Sequence, residues 1–477
     1  MVGTGYVGLV AAACFAEFGH QVTAIDRDER KIEKLLQGIM PIYEPGLEEL
    51  VNSHHARKNL HFSTTVSSAA HADVVVLAVG TPPLPDGSSD LRMLYGAAEE
   101  IAPYLQKHAV IVIKSTVPVG TARGVYDHVA SRVTHGSPIA IVSNPEFLRQ
   151  GFAVYDFLNP DRVVIGGATL SAEKVMKSLY APLIARQIPY LEANNETAEI
   201  IKYAANSMLA VRISFVNELA LLCDLTGADI AQVTKGIGID PRIGPAFLQA
   251  GPGYGGSCLP KDVKSLSAAA RSTGMEFLMA QACDEVNHRQ HSFVVARLRQ
   301  ILGSLKGQRI ALWGLAFKPK TDDTRESPAM AVAAELIEAG AEVIAHDPLA
   351  AELAKRELPE LIISDDPMSA CDQAAALVLM TEWDIYKQAD FQHVYSRLAR
   401  PVLFDTRNAL NGAALRELGL EYYCIGRMAA SGGSIAETKE AVVALIAEHH
   451  ARHDSEKLAA LTSQKNTPAQ AHQSRVS

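Results

Sequence analysis

The groups able to do chemistry in this chain are one cysteine, one lysine–asparagine pair and a few polar residues at apolar segment ends. Cys258 stands in G-P-G-Y-G-G-S-C-L-P-K-D, residues 251–262. Four of the six residues 251–256 are glycine, so this backbone can turn sharply or lie against a ligand. Val263, Leu266, Ala269 and Ala270 follow at helical spacing, and Pro260 suits a first helical turn. Cys258 then precedes a helix start. Free amides, the positive helix end and nearby Lys261 favour a thiolate there, a nucleophile. The alternative is an inert cysteine at a tight turn. Lys202 and Asn206 lie four apart in a helical stretch and share one face. They point either at a site or, alternatively, as a surface lysine and an internal cap. Thr81, Thr116 and Glu146 each follow an apolar run, and all three are candidates for one crevice. Glu146 could instead be a helix-start acid.

The elements that must position these groups begin at residues 3–8, G-T-G-Y-V-G. Gly3, Gly5 and Gly8, with Tyr6 and Val7 between them, match a dinucleotide fingerprint. A helical apolar pattern runs to Phe18, then a strand over Gln21–Ile25 ends at Asp26, 18 positions after Gly8. The glycines admit a pyrophosphate onto the helix amides. Asp26 would accept from ribose hydroxyls and repel a 2′-phosphate, which favours NAD over NADP, with Arg27 weakening that choice. The fingerprint needs a preceding strand, and only Met1 and Val2 are present. The expectation is that this strand is missing, through an internal start or truncation, and that nucleotide binding suffers. Further strands are expected over Ala72–Val79, Ala109–Lys114, Ile139–Val142 and within Asn159–Gly166. They place a doubly wound domain over residues 1–195.

Residues 196–225 hold neither proline nor glycine, and their apolar positions cover more than one face. A central helix packed on both sides, able to carry a dimer seam, is expected. A second long helix is expected over Glu276–Leu302. From Gly307 the α/β alternation resumes, with strands over Gly307–Trp313, Glu342–Asp347, Ala374–Met380 and Val402–Asp405. It lacks the glycine fingerprint. Lys318, Arg325 and Arg407 form a cationic set suited to a diphosphate. The expected fold class is α/β: two Rossmann-like doubly wound domains joined by a long central helix. The domains are 1–195, a helical region 196–302 with the cysteine loop, 303–427, and a tail 428–477 that is helical near 436–448 and then disordered.

The 477 residues suffice for roughly three domains. The net charge of −9 argues against a nucleic-acid binder. No apolar run reaches 18 residues, so no membrane helix is expected. The six cysteines are scattered, with no C-x-x-C. That pattern points to free thiols in a reducing cytoplasm and to no metal site.

Taken together, the chain resembles the UDP-glucose/GDP-mannose dehydrogenase family over about residues 1–427. The motifs are G-T-G-Y-V-G, P-I-Y-E-P-G, V-G-T-P-P, S-T-V-P-V-G, N-P-E-F-L-R, I-K-Y-A-A-N, G-P-G-Y-G-G-S-C-L-P-K-D and G-L-A-F-K-P-K-T-D-D-T-R-E-S-P, in that order. The resemblance implies an N-terminal NAD domain, a homodimer through the central helix and a C-terminal domain for a nucleotide sugar. It implies oxidation of the sugar C6 alcohol to a carboxylate with two NAD⁺, and it makes Cys258 the nucleophile. It assigns Lys202 and Asn206 to an oxyanion, Asp262 to orienting a water or lysine, Glu146 to a general base, and Thr116 to a place near the water. Asp26, Lys31 and Thr81, with Thr116, fall on the NAD side. Phe147, Leu148, Asn217, Tyr254, Gly255, Lys318 and Arg407 fall on the substrate side, and Arg242 reaches the partner's site. UDP-glucose is the first substrate implied. GDP-mannose or a UDP-N-acetylhexosamine is the alternative, and a non-catalytic nucleotide-binding scaffold is an alternative of another class. Two positions depart from the family pattern, Gln150 for glutamate and Leu259 for phenylalanine.

Overall fold

The computed structural model describes residues 1–134 and 139–427. The tail from 428, with its expected helix at 436–448, lies outside them. Among the described residues no helix is long and apolar enough to cross a membrane.

The first domain is a sheet in the order β2–β1–Val2–β3–β4–β5–β6–β7. Its strands are β1 (Val22–Ile25), β2 (Leu60–Ser63), β3 (Val74–Leu77), β4 (Val110–Ile113), β5 (Ala140–Ser143), β6 (Val163–Gly166) and β7 (Tyr190–Ala193). β4 is buried along its whole length, as apolar runs covered on both faces must be. Pairing is parallel except between β5 and β6, which meet antiparallel through Ser143 and Gly166. The chain between those two strands lines a cleft. Periodicity did not mark β2 or β7, because each is partly exposed and lacks a continuous apolar run.

Met1 and Val2 stand where the first strand was expected to be missing. Val2 bridges both Ile25 and Leu77 in parallel. Val2 N–H donates to Val76 O at 2.7 Å, Ala78 N–H to Val2 O at 2.8 Å and Gly3 N–H to Ile25 O at 2.8 Å. The two central ladders are therefore tied at the point nearest the glycine turn, where that turn's geometry depends on them.

The central helix spans Asn195–Thr226 and is capped by the Asn194 side chain and by left-handed Gly227. Two further helices, Leu259–Ser272 and Leu278–Leu302, pack against it. The last domain is an all-parallel sheet in the order β10–β9–β8–β11–β12–β13. Its strands are β8 (Arg309–Trp313), β9 (Glu342–His346), β10 (Ile362–Ile363), β11 (Ala376–Leu379), β12 (Val402–Asp405) and β13 (Glu421–Cys424). Strand order reverses between β8 and β11, the switch point at which such sheets open a crevice.

Candidate active site

A cleft of about 920 Å³ runs where the three regions meet. The loop after β5 contributes Glu146, Phe147 and Leu148, and the central helix contributes Lys202 and Asn206. The glycine loop contributes Tyr254, Gly255 and Cys258, and the last domain contributes Lys318 and Arg407.

Cys258 is the residue before the helix Leu259–Ser272, with Pro260 in its first turn, as the spacing indicates. Its thiol is free. The expected thiolate is not what the surroundings favour. Burial pushes the thiol up, the Glu146 charge adds to that, and Lys202 opposes it. Glu146 and Lys202 are both buried and form an ion pair, Nζ to Oε1 at 3.0 Å. Burial works against each charge. Burial is the largest single effect, but the partner and the neighbouring groups together outweigh it in both, so Lys202 is raised and Glu146 lowered. Leu148 N–H also donates to Glu146 Oε2 at 2.5 Å. Glu146 is therefore held ionised, in the form a general base needs.

Asn206 Nδ2 donates to Asp262 Oδ2 at 2.6 Å. Lys261 Nζ lies 2.9 Å from Asp262 Oδ1, an ion pair without hydrogen-bond geometry. Asp262 is buried and holds Asn206 by that hydrogen bond.

Other expected residues lie off the cleft lining. Thr116 lines a small adjoining recess with Pro145 and Lys202, and Thr81 Oγ1 donates to the Thr116 carbonyl at 2.8 Å. Asn217 Oδ1 accepts from Gly251 N–H at 2.9 Å, so it anchors the glycine loop. Arg242 is exposed and pairs with Asp240 at 2.6 Å. Arg325 pairs with buried Asp323 at 2.7 Å. Of the two departures, Gln150 donates to Asp323 Oδ2 at 2.9 Å across the domain boundary, and Leu259 lines the cleft.

The glycine turn fits a dinucleotide. Gly3 has φ +97°, and a Cβ there would lie 2.5 Å from Ala78 O. A Cβ on Gly8 would lie 2.0 Å from Gly3 O. A Cβ on Gly5 would meet nothing within 4 Å, so open space faces the helix start. The helix Tyr6–Glu17, with Val7 in its first turn, has no side-chain cap and no acid in that turn. Its amides are free for an anion. Asp26 accepts from Thr4 N–H at 2.9 Å and pairs with Lys31 at 2.8 Å. Burial would raise the Asp26 carboxyl, but Lys31 and Thr4 prevail and hold it at about 2.

Several buried residues around the cleft have partners far away in sequence. Lys114, buried at the end of β4, donates to Asn144 Oδ1 at 3.2 Å, and burial pulls it down to about 8. A lysine closing an apolar run was the available clue. Asn287 accepts from Tyr254 N–H at 2.8 Å and donates to Tyr254 O at 3.0 Å. Gln290 donates to Gly251 O at 2.9 Å. Only the packing of the helix Leu278–Leu302 against the glycine loop reveals this pair. Glu44 lies inside a quoted motif, but its partners are far away in sequence.

Family models match three stretches of the chain. The NAD binding domain of the UDP-glucose/GDP-mannose dehydrogenase family matches residues 1–184. The family's central domain matches 196–289 and its UDP binding domain 311–412. The UDP-glucose 6-dehydrogenase of Pseudomonas aeruginosa is 44% identical over 438 residues, covering 90% of this chain and 97% of that one. The chain belongs to the UDP-glucose/GDP-mannose dehydrogenase family. The Rhizobium meliloti UDP-glucose 6-dehydrogenase is also 44% identical, over 90% of this chain and 99% of its own. Among solved structures, a UDP-glucose dehydrogenase from Pyrobaculum islandicum superposes with a TM-score of 0.82 at 38% identity, covering 88% of this chain and 96% of that one. As in the family, the first domain is an NAD-binding domain, and the glycine turn, Asp26 and Lys31 are the groups suited to hold the cofactor.

Proposed function

We propose that the chain is an NAD-dependent UDP-glucose 6-dehydrogenase that takes the C6 alcohol to a carboxylate through a covalent Cys258 adduct. The observation that carries this is the meeting of Cys258, the Glu146–Lys202 ion pair and the Asn206–Asp262 pair at one cleft. The balance is R–CH₂OH + 2 NAD⁺ + H₂O → R–COO⁻ + 2 NADH + 3 H⁺. Bound NAD supplies the hydride acceptor. The chain's own residues do the rest. Lys202 and Asn206 stabilise negative charge on the C6 oxygen. Cys258 Sγ adds to the C6 aldehyde as a thiolate, and the thiohemiacetal is the form that can be oxidised again. The thiol, raised by burial, rests protonated and has to give up its proton before it adds. Glu146 takes a proton from the water that cleaves the resulting thioester, with Thr116 beside it. Phe147, Leu148, Tyr254 and Gly255 shape the sugar pocket, and Lys318 and Arg407 hold the diphosphate. The glucose relatives support UDP-glucose over the mannose or N-acetylhexosamine alternatives.

The domain limits 1–195, 196–302 and 303–427 belong to the same reading. So does a homodimer. Met208, Phe215 and Leu222, seven apart on the central helix, are 60%, 54% and 54% exposed, an apolar row suited to a second copy. Arg242 of one copy would then serve the other's cleft. Six free thiols fit a cytoplasmic setting. The test is NADH yield at limiting UDP-glucose, with the product weighed. Two NADH and a uronate per sugar are expected. One NADH and an aldehyde would overturn the four-electron reading.

A further inference from the structure

Glu44 is a buried carboxylate in the turn Pro41–Gly46, and the reaction as written gives it no part. Its two oxygens are fully engaged. Oε1 accepts from Ala153 N–H at 2.7 Å. Oε2 accepts from Gly151 N–H at 2.7 Å and from the Tyr6 hydroxyl. Tyr6 is the first residue of the helix that opens the glycine turn. Gly151 and Ala153 close the strap that begins with Glu146, Phe147 and Leu148. One carboxylate thus ties the cofactor turn to the strap carrying the general base.

The strap is pinned on its other side as well. Gly151 has φ +78°, and a Cβ there would lie 2.8 Å from Lys320 O, so its backbone abuts the last domain directly. Gln150 donates to Asp323 Oδ2, and Asp323 also holds Arg325. The Arg325 carbonyl accepts from Gly256 N–H at 3.0 Å, two residues before Cys258. Bonded neighbours therefore run from the glycine turn to the cysteine loop, and Glu44 is the first link.

We propose that Glu44 is a positioning residue that couples occupancy of the glycine turn to affinity in the nucleotide-sugar cleft. A group that closes on the amides of Gly5 and Tyr6 fixes the Tyr6 ring. The Tyr6 hydroxyl fixes Glu44, and Glu44 sets the two strap amides. A strap already ordered costs the second ligand less to bind, and by linkage the effect is reciprocal. This rests on the NAD and UDP-sugar reading above.

The experiment is calorimetric titration of UDP-glucose into the full chain, with and without saturating NADH, for wild type and for Glu44→Gln. NADH is also titrated alone. Glutamine keeps the shape but offers one accepting oxygen, so one strap amide loses its partner. Wild type is expected to bind UDP-glucose about fivefold or more tighter with NADH present. Glu44→Gln is expected to bind each ligand alone but to show less than about a twofold change. A group that only stabilised the fold would lower the Tm and leave the ratio intact. Equal wild-type affinities with and without NADH would overturn the proposal, and so would an undiminished ratio in Glu44→Gln. If Glu44→Gln does not fold, Tyr6→Phe removes only the hydroxyl and is held to the same two readings. Failure of wild type to bind either ligand alone would refute the functional reading itself and take the coupling with it.

Discussion

The two α/β domains share one plan and differ where the first strand ends. Both sheets reverse order beside their first strand, with the Val2 stub standing in for that strand in the first domain. Both turn at a glycine of nearly equal φ, +97° at Gly3 and +96° at Gly314. Both place an aspartate after the next strand, Asp26 and Asp347. In the first domain Asp26 takes one amide of the glycine turn, that of Thr4, and the helix starts uncapped at once. In the last domain Asp347 Oδ2 takes two, from Leu315 at 2.7 Å and Ala316 at 3.0 Å. The helix there is delayed to Pro328 and capped by Ser327. One turn therefore keeps amides free for a phosphate, and the other has already filled them with its own carboxylate. With those two amides taken, Lys318 and Arg407 are the cations that the last domain offers an anion in the cleft.

The largest expected effect lies at the seam between the domains. Cys258→Ser should cut acid production roughly 10³-fold or more. Retention of wild-type turnover would remove the covalent step and make the two domains a sufficient site by themselves. Lys202→Ala should follow, with a loss of about 3 kcal/mol in the transition state, read as kcat. It also leaves Glu146 buried without its cation, so a pH–rate profile should show the base moving up. An unchanged kcat would take Lys202 out of the site.

The glycines sharpen the contrast itself. Gly314→Ala puts a Cβ 2.3 Å from Thr381 Cβ at a left-handed φ, and should destabilise by roughly 1–3 kcal/mol while leaving NAD affinity alone. Gly5→Ala meets no protein atom and should cost under about 1 kcal/mol of stability. It should weaken NAD about tenfold, as loss of one charged hydrogen bond would. Thermal melts and NADH titration on both variants separate the roles. Equal NAD loss in the two would break the comparison.

The smallest effect concerns pH. The Asp26 carboxyl is held at about 2, below its ordinary 3.8. A depressed carboxylate stabilises the fold above its unfolded value, and that stability is lost as pH falls through the folded one. The Tm gap between wild type and Asp26→Asn should therefore hold steady above about pH 4 and shrink toward pH 2. A gap that widened on acidification would mean that Lys31 and Thr4 do not hold the charge.

Much of this was legible in the chain. Apolar runs marked the buried strands, the proline-free stretch marked the central helix, and Pro260 placed Cys258 at a helix start, because those signals are local. The cysteine's protonation was not legible. The sequence shows a helix end and Lys261, but burial in the folded cleft raises the thiol, and Glu146, over a hundred positions away, adds to it. Asn217 matched a substrate position, and its Oδ1 also holds Gly251, a contact that the motif does not show.

By itself the sequence determined the order of elements, the glycine turn and the set of reactive groups, since period, capping and backbone permissiveness act over a few residues. Only the tertiary structure decided that Glu146 pairs with Lys202, that Asp262 holds Asn206, and that Glu44 joins two loops. Those pairings depend on burial and on distances between groups brought together from separate strands, which linear spacing does not encode.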